Sequence, residues 1–487
     1  MNFTAWQFLL LFLPLTVAAF HALRGPRAAP LRQALLIAAS LFFYGVSGLG
    51  NLGVLALSMA GNYSAGLLLG GESLRNRAPR RAAMWTGVAF NLALLLIFKL
   101  LALEDPAEDG FLSSERILIP LALSFVTFQQ IGFVVACYKR QVVRPGLLDY
   151  LFFVAFFPQL VMGPIVRFDK VEAQLKAGAL VRVTRTDLAV GLAIFVFGLA
   201  KKVLLADPLS GPVERVFEAQ ALAGATTIES WFAIVAFQLQ LFLDFSAYAE
   251  MAIGLGRMFG IALPINFDRA LKAINRFDLW RRWHITFVMF MRVHVFLPLI
   301  RHAKLPVAGA LAVTGILSGL WHGLGWTFVI WGLLQAAILL LVHYRSKWRR
   351  GVANPKGARR IVAILLTFLT SVLIGTLFRA PNLETAEQVY GALLPWNGLP
   401  GPSTALVARD WLIAAIAAAF IWGWPDAQDF FRRYWTAIDP RPDPPRRPAA
   451  PWVQFELNRA WAVAGGLTVV AILLMLEQSG RFIYVQF

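Results

Sequence analysis

Cysteine is nearly absent from this chain: Cys137 is the only one in 487 residues. No intramolecular disulfide can form, and no thiolate zinc site can be assembled. Charge is scarce as well, at 15% of residues, and acids are scarcer than bases, 27 against 45. Soluble domains carry about 25% charged residues, so the chain is not a string of soluble domains. A Walker A lysine loop, an HExxH helix and a GxSxG elbow are all missing, which withholds support from those nucleotide, metalloprotease and hydrolase chemistries. Gly48-Leu49-Gly50-Asn51-Leu52-Gly53 matches a dinucleotide pattern, but it lies between two apolar spans and not in a strand–turn–helix unit. No basic residue precedes the first apolar run, Trp6–Phe20, and Arg24 follows it. A secretory signal has the opposite order, so the run reads as a retained first span with its N-terminus outside.

What is present is apolar: 58% of the residues. A span needs about 20 mostly apolar residues, and the pattern predicts an all-α polytopic membrane protein with roughly 11–12 transmembrane helices. Thirty-two of the 45 bases fall in seven clusters, from Arg24–Arg32 to Arg432–Arg447. Lys and Arg collect in cytoplasmic loops, so all seven belong inside, and the net charge of +18 mostly encodes orientation. It points to anionic lipid and not to nucleic acid. The loop Glu104–Glu115, with five acids and no base, suits the opposite side.

Counting spans between clusters then exposes a conflict. Pairs of spans separate neighbouring clusters in three of the six intervals, but one apolar stretch, Leu147–Val166, lies between the third and fourth. Three lie between the fourth and fifth, and three between the fifth and sixth. The conflict is confined to about Leu147–His343, and broken or re-entrant central helices remove it. Non-helical backbone at membrane depth is tolerated only where protein buries it or it lines a wet cavity. The organisation expected is therefore N-terminal helices over 1–146, a central core over 147–343 and C-terminal helices over 344–487.

The central third also carries the chemistry-bearing motifs. In Leu317-Ser318-Gly319-Leu320-Trp321-His322-Gly323-Leu324-Gly325-Trp326, an ionisable group sits between apolar runs. Such a group is costly in a membrane and is a functional-site hypothesis by default. Histidine suits proton transfer near neutral pH. In Asn275–Thr286 a helical period would put Phe277, Trp280 and His284 on one face, with Arg281 and Arg282 beside it. An interfacial amphipathic helix explains Trp280, Arg281, Arg282 and Trp283, but it does not require His284. Leu241–Glu250 holds two acids, with Asp244 near Tyr248 and Ser246 near Glu250 by spacing. There a structural polar network is favoured over substrate contact, and Glu250 can pair with Arg257. Pro158 and Pro164 bracket Gln159 and interrupt a span.

Taken together, these segments resemble the membrane-bound O-acyltransferase family, in its bacterial alginate O-acetyltransferase branch. The resemblance rests on Ser40–Tyr44, Ser124–Gln129, Phe156–Phe168, Asp244–Asn266, Trp280–Thr286, Ser318–Phe328 and the ending Phe482–Phe487, in the family's order. It identifies His322 with the family's essential histidine and His284 with its second characteristic one. It further implies a tunnel lined by Trp321, Trp326, Asp244, Ser246, Asn266, Arg281, Trp283 and Gln159. Three departures surround the implied substrate funnel. Arg292-Val293-His294 stands where Arg-Asp-Tyr is usual, Ile300-Arg301 where Gly-Gly is usual, and Gln335 where a histidine is usual.

The activity implied is acyl transfer, by resemblance acetyl, from a cytoplasmic thioester such as acetyl-coenzyme A or a carrier protein. The acyl group would cross a bacterial inner membrane to an exopolysaccharide, with a periplasmic acetyltransferase as partner. No tightly bound cofactor and no metal are expected. D-alanyl or other acyl transfer to a cell-envelope polymer is the alternative, since the teichoic-acid D-alanyl transferases share the fold and essential histidine. A transporter or a non-catalytic scaffold of a polysaccharide secretion complex is the rival class.

Overall fold

A computed structural model of the chain describes residues 2–25, 27–71, 76–101, 122–217, 226–348, 355–394, 406–442, 444 and 453–476. The acidic loop Glu104–Glu115 and the ending Phe482–Phe487 lie outside them. Helices dominate, and the described residues contain no strand, only an isolated bridge between Pro264 and Ile438. Among the described residues, seven helices are long and apolar enough to cross a membrane, and four shorter apolar ones accompany them. The chain is an all-α polytopic membrane protein.

It divides into two compact units. The first comprises Met1–Phe195, Met251–Pro264 and Thr436–Ile438, and the second the remainder. Phenylalanines dominate the first unit's core: Phe8, Phe12, Phe43 and Phe157 meet with ring centroids 5.2–6.2 Å apart. Its buried polar groups are met in pairs. Asn62 and Asn91 exchange side-chain hydrogen bonds at 3.0 and 2.6 Å, and Arg80 caps the carbonyls of Leu69 and Tyr138. The predicted break in Leu147–Val166 is present. Helix Leu147–Ala155 ends at Phe156, a single turn Phe157–Leu160 follows, and the chain is non-helical up to Arg167. Ser40 Oγ accepts the Phe157 N–H that the break releases, at 3.0 Å.

Other central segments differ from the sequence reading. Trp231–Leu243 and Tyr248–Leu263 belong largely to one helix, Thr227–Met258, of 32 residues and so about 48 Å long. Asp244 and Ser246 lower the local hydropathy without breaking it, because buried lysines meet them. Lys202 Nζ lies 2.7 Å from Asp244 and 2.6 Å from Asp207; Lys201 lies 2.8 Å from both Glu250 and Ser246 Oγ. The expected pairing of Glu250 with Arg257 does not occur: Glu250 holds Lys201, and Arg257 meets Asp187 at 3.2 Å. Lys201 and Lys202 open a π-helical stretch, Lys201–Ala206, a local geometry that recurs at functional sites.

The second unit's core gathers Phe237, Leu241, Trp331, Val372, Phe378 and Ile421. Beside it packs a helical hairpin, Val307–His322 followed by Trp326–Trp348. Glycines bring the two arms together. A Cβ on Gly315 would strike the Gly332 carbonyl, and one on Gly319 the Phe328 carbonyl. Small residues at these crossings let backbones approach.

Candidate active site

His322 is the last residue of its helix. The Gly323 N–H closes on the Gly319 carbonyl at 3.1 Å, and Gly323 leaves the helix in an extended conformation. A side chain at Gly323 would collide with the Phe328 ring. The histidine is thus fixed at a helix end by the tight return of the hairpin. Aromatic rings surround it: Phe378 at 4.8 Å, Trp331 at 5.3 Å and Phe287 at 5.8 Å between centroids.

His284 arrives differently. The helix predicted through it stops at Trp280, and a turn follows. His284 itself has φ 44° and ψ 51°, left-handed and uncommon for a non-glycine residue. It therefore shares no helix face with Phe277, which is 57% exposed. Asn266 holds this turn. Its Oδ1 accepts from the Thr286 N–H at 3.1 Å and the Thr286 hydroxyl at 2.9 Å, and lies 3.2 Å from His284 Nδ1. Its carbonyl accepts from Ile285 N–H at 2.9 Å. A second clamp works from Asp268, whose carboxylate meets Arg441 at 2.9 Å while Arg441 Nη1 donates to the Arg281 carbonyl. Strained backbone persists only where its surroundings over-determine it, and these contacts do so.

The two histidines meet across one side chain. The Phe287 ring lies 4.9 Å from His284 and 5.8 Å from His322. All three line a cavity of about 50 Å³. Its aromatic wall includes Trp280, Trp283, Trp331 and Phe378, and its polar wall Gln238, Arg276, Gln335 and Ser371. Arg276 Nε donates to Gln335 Oε1 at 2.8 Å, and Nη1 to Ser371 Oγ at 2.5 Å.

The structure thus brings together His322, His284 and Trp283 at the cavity, with Asn266 behind His284. Trp321 packs against both histidines without lining the cavity. Asp244 and Ser246 belong to the lysine network, away from the lining. Trp326 is 72% exposed, and Arg281 contributes its carbonyl to the Arg441 clamp. Gln159 lies in the first unit, donating to the Phe153 carbonyl at 2.6 Å. Arg276, Ser371 and Gln238 were missed as site residues. Arg276 looked like one more base of an interfacial stretch. Ser371 offered a weak signal, a hydroxyl deep in an apolar run. Gln335 was visible only as a departure from the family pattern. Val293 and His294 fall in a π-helical stretch, Arg292–Phe296, where His294 stacks on Phe290 at 4.5 Å.

Two histidines on one aromatic-lined cavity offer groups whose ordinary titration suits proton transfer near neutral pH. Comparison with known proteins agrees with that class. The MBOAT, membrane-bound O-acyltransferase family, matches residues 84–377, which include both histidines. The chain belongs to the membrane-bound O-acyltransferase family and is an O-acyltransferase. It is 34% identical to the peptidoglycan O-acetyltransferase of Helicobacter pylori over 427 residues, 80% of this chain and 79% of that protein. It is 29% identical to the probable alginate O-acetylase AlgI of Pseudomonas putida, over the full length of both. Similarity to the teichoic acid D-alanyltransferase of Bacillus subtilis is lower, 26% over 51% of this chain and 65% of that one.

Proposed function

We propose that this chain carries an acetyl group from a thioester donor, taken up on the cytoplasmic side of a bacterial inner membrane, to a hydroxyl of a cell-envelope or secreted polysaccharide. The observation that carries this reading is that His322 and His284 line one and the same cavity. His322 acts as general base on the attacking hydroxyl, a role for which imidazole is matched near neutral pH. His284 has its Nδ1 side against Asn266, which fixes the ring's orientation. Closure of the aromatic wall over a bound thioester would favour transfer to the hydroxyl over hydrolysis.

Relatives named for peptidoglycan and for alginate both align over most of the chain. Their shared chemistry is O-acetylation of a polysaccharide, and that shared part is what we assign. A periplasmic acetyltransferase is the partner expected to receive the acyl group if the chain does not modify the polymer itself. The similarity to a D-alanyltransferase gives the second reading, transfer of a D-alanyl group.

One experiment tests these together. Cells carrying the wild-type chain or His322→Ala, with equal membrane insertion verified, are labelled with acetate or D-alanine, and ester-linked label in the envelope and secreted polymer is measured. Acetate label that depends on His322 supports the assignment. Label from D-alanine alone moves it to the second reading, and undiminished label in the variant removes His322 from the chemistry.

A further inference from the structure

The short helix Arg276–Trp280 puts two unusual donors into the cavity wall. Arg276 is 5% exposed, and among the described residues its hydrogen-bond partners are the neutral Gln335 and Ser371. No carboxylate among the described residues lies within ion-pair distance of it, although the arginines nearby in sequence, Arg269 and Arg282, each have one. No charged neighbour offsets its burial. Guanidinium stays protonated and has five N–H groups; the two hydrogen bonds use two of them. Buried charges are ordinarily paired, so this one is short of an anion.

Trp280 supplies an independent observation. It lines the same cavity, and its buried indole N–H has no hydrogen-bond partner among the described residues. A buried tryptophan N–H usually finds one. Positions 276 and 280 are four apart on one helix, so they share a face. Gln335, where resemblance led to a histidine, instead supplies the amide oxygen that fixes the guanidinium.

A cavity of about 50 Å³ has room for a few waters, at about 10–15 Å³ each on the same measure. That is room enough for an acetyl carbonyl. We propose that Arg276 and Trp280 are the oxyanion-binding pair of acyl transfer, which rests on the acyl-transfer reading given above. The acceptor hydroxyl oxygen bonds to the thioester carbonyl carbon while its proton passes to His322. The carbonyl π pair moves onto oxygen, and that alkoxide accepts hydrogen bonds from the Arg276 guanidinium and the Trp280 N–H. The carbonyl then re-forms, the C–S bond breaks, and the leaving thiolate takes the proton from His322. An ester and a thiol result. Preorganised donors in a water-poor site act more strongly on the transition state than on the neutral carbonyl.

The test uses the full chain in proteoliposomes, with acetyl-coenzyme A on one side, an oligosaccharide acceptor on the other, and thiol release as the readout. Arg276→Gln and Trp280→Phe are expected to lower kcat about 10²–10³-fold with KM for acetyl-coenzyme A changed less than about threefold. Arg276→Lys retains part of the rate. Trp280→Phe keeps the aromatic wall and removes only the N–H, so it carries the test if Arg276→Gln does not fold. Unchanged kcat in folded Trp280→Phe and Arg276→Lys overturns the pair, as does a raised KM with kcat kept, which would mark a ground-state anion site. A wild-type chain no faster than His322→Ala defeats the acyl-transfer reading and takes the pair with it. An active wild type, a dead His322→Ala and unaffected pair variants defeat the pair alone.

Discussion

Two buried polar regions of the second unit treat their charges in opposite ways. In the lysine network, Lys202 is shared by Asp207 and Asp244, and Lys201 is held by Glu250 and Ser246, all at 2.6–2.8 Å. In the histidine cavity, the hydrogen-bond partners of Arg276 among the described residues are an amide and a hydroxyl. Removing one member of a buried ion pair costs more than the pair contributes, because the other charge is left alone. Each lysine of the network has a carboxylate against it. The cavity is incomplete until something negative enters it. The same residue types thus take structural or chemical roles according to whether the protein itself supplies the counter-charge.

The comparison can be broken at several points. His322→Ala should cost the most, about 10²–10⁴-fold in acyl transfer, with an unchanged thermal unfolding midpoint. A large fall in that midpoint would make the histidine a packing group. Asp244→Ala should do the reverse. Lys202 keeps Asp207 as its counter-charge, so losing one acceptor should destabilise the protein by about 1–3 kcal/mol, read as lower folded yield and an earlier melting transition. The kcat of the folded fraction should stay within about twofold; loss of turnover in folded protein would place the network in the chemistry and end the contrast. Asn266→Ala is intermediate. It orphans the Thr286 N–H and frees the His284 ring, for about 1–3 kcal/mol in unfolding experiments, with kcat falling in parallel. Trp326→Ala should be smallest, within about 0.5 kcal/mol and with activity kept, because the side chain is 72% exposed. A strong activity loss there would extend the site beyond the cavity.

Much of the site was legible in sequence where one residue type was out of place. His322 stood out because a histidine between apolar runs has few bland uses, and the flanking glycines marked close packing. His284 was legible through resemblance, but its geometry was not. The helical period that grouped it with Phe277 and Trp280 continued past a helix that ends at Trp280. Nothing local signals a left-handed residue there, since Asn266 holds it from 18 positions away. The failed parity count found the broken segment at Phe156–Arg167, where prolines mark it. It misread Thr227–Met258, where hydropathy dips at acids that distant lysines neutralise.

The sequence by itself determined the class of protein and singled out His322 as the candidate histidine, because burial in a bilayer constrains composition residue by residue and ionisable exceptions are conspicuous. The tertiary structure alone decided which polar groups share a cavity. Arg276 meets Gln335 and Ser371 across 59 and 95 residues of chain. Whether a buried charge is balanced or waiting depends on neighbours that only folding brings near.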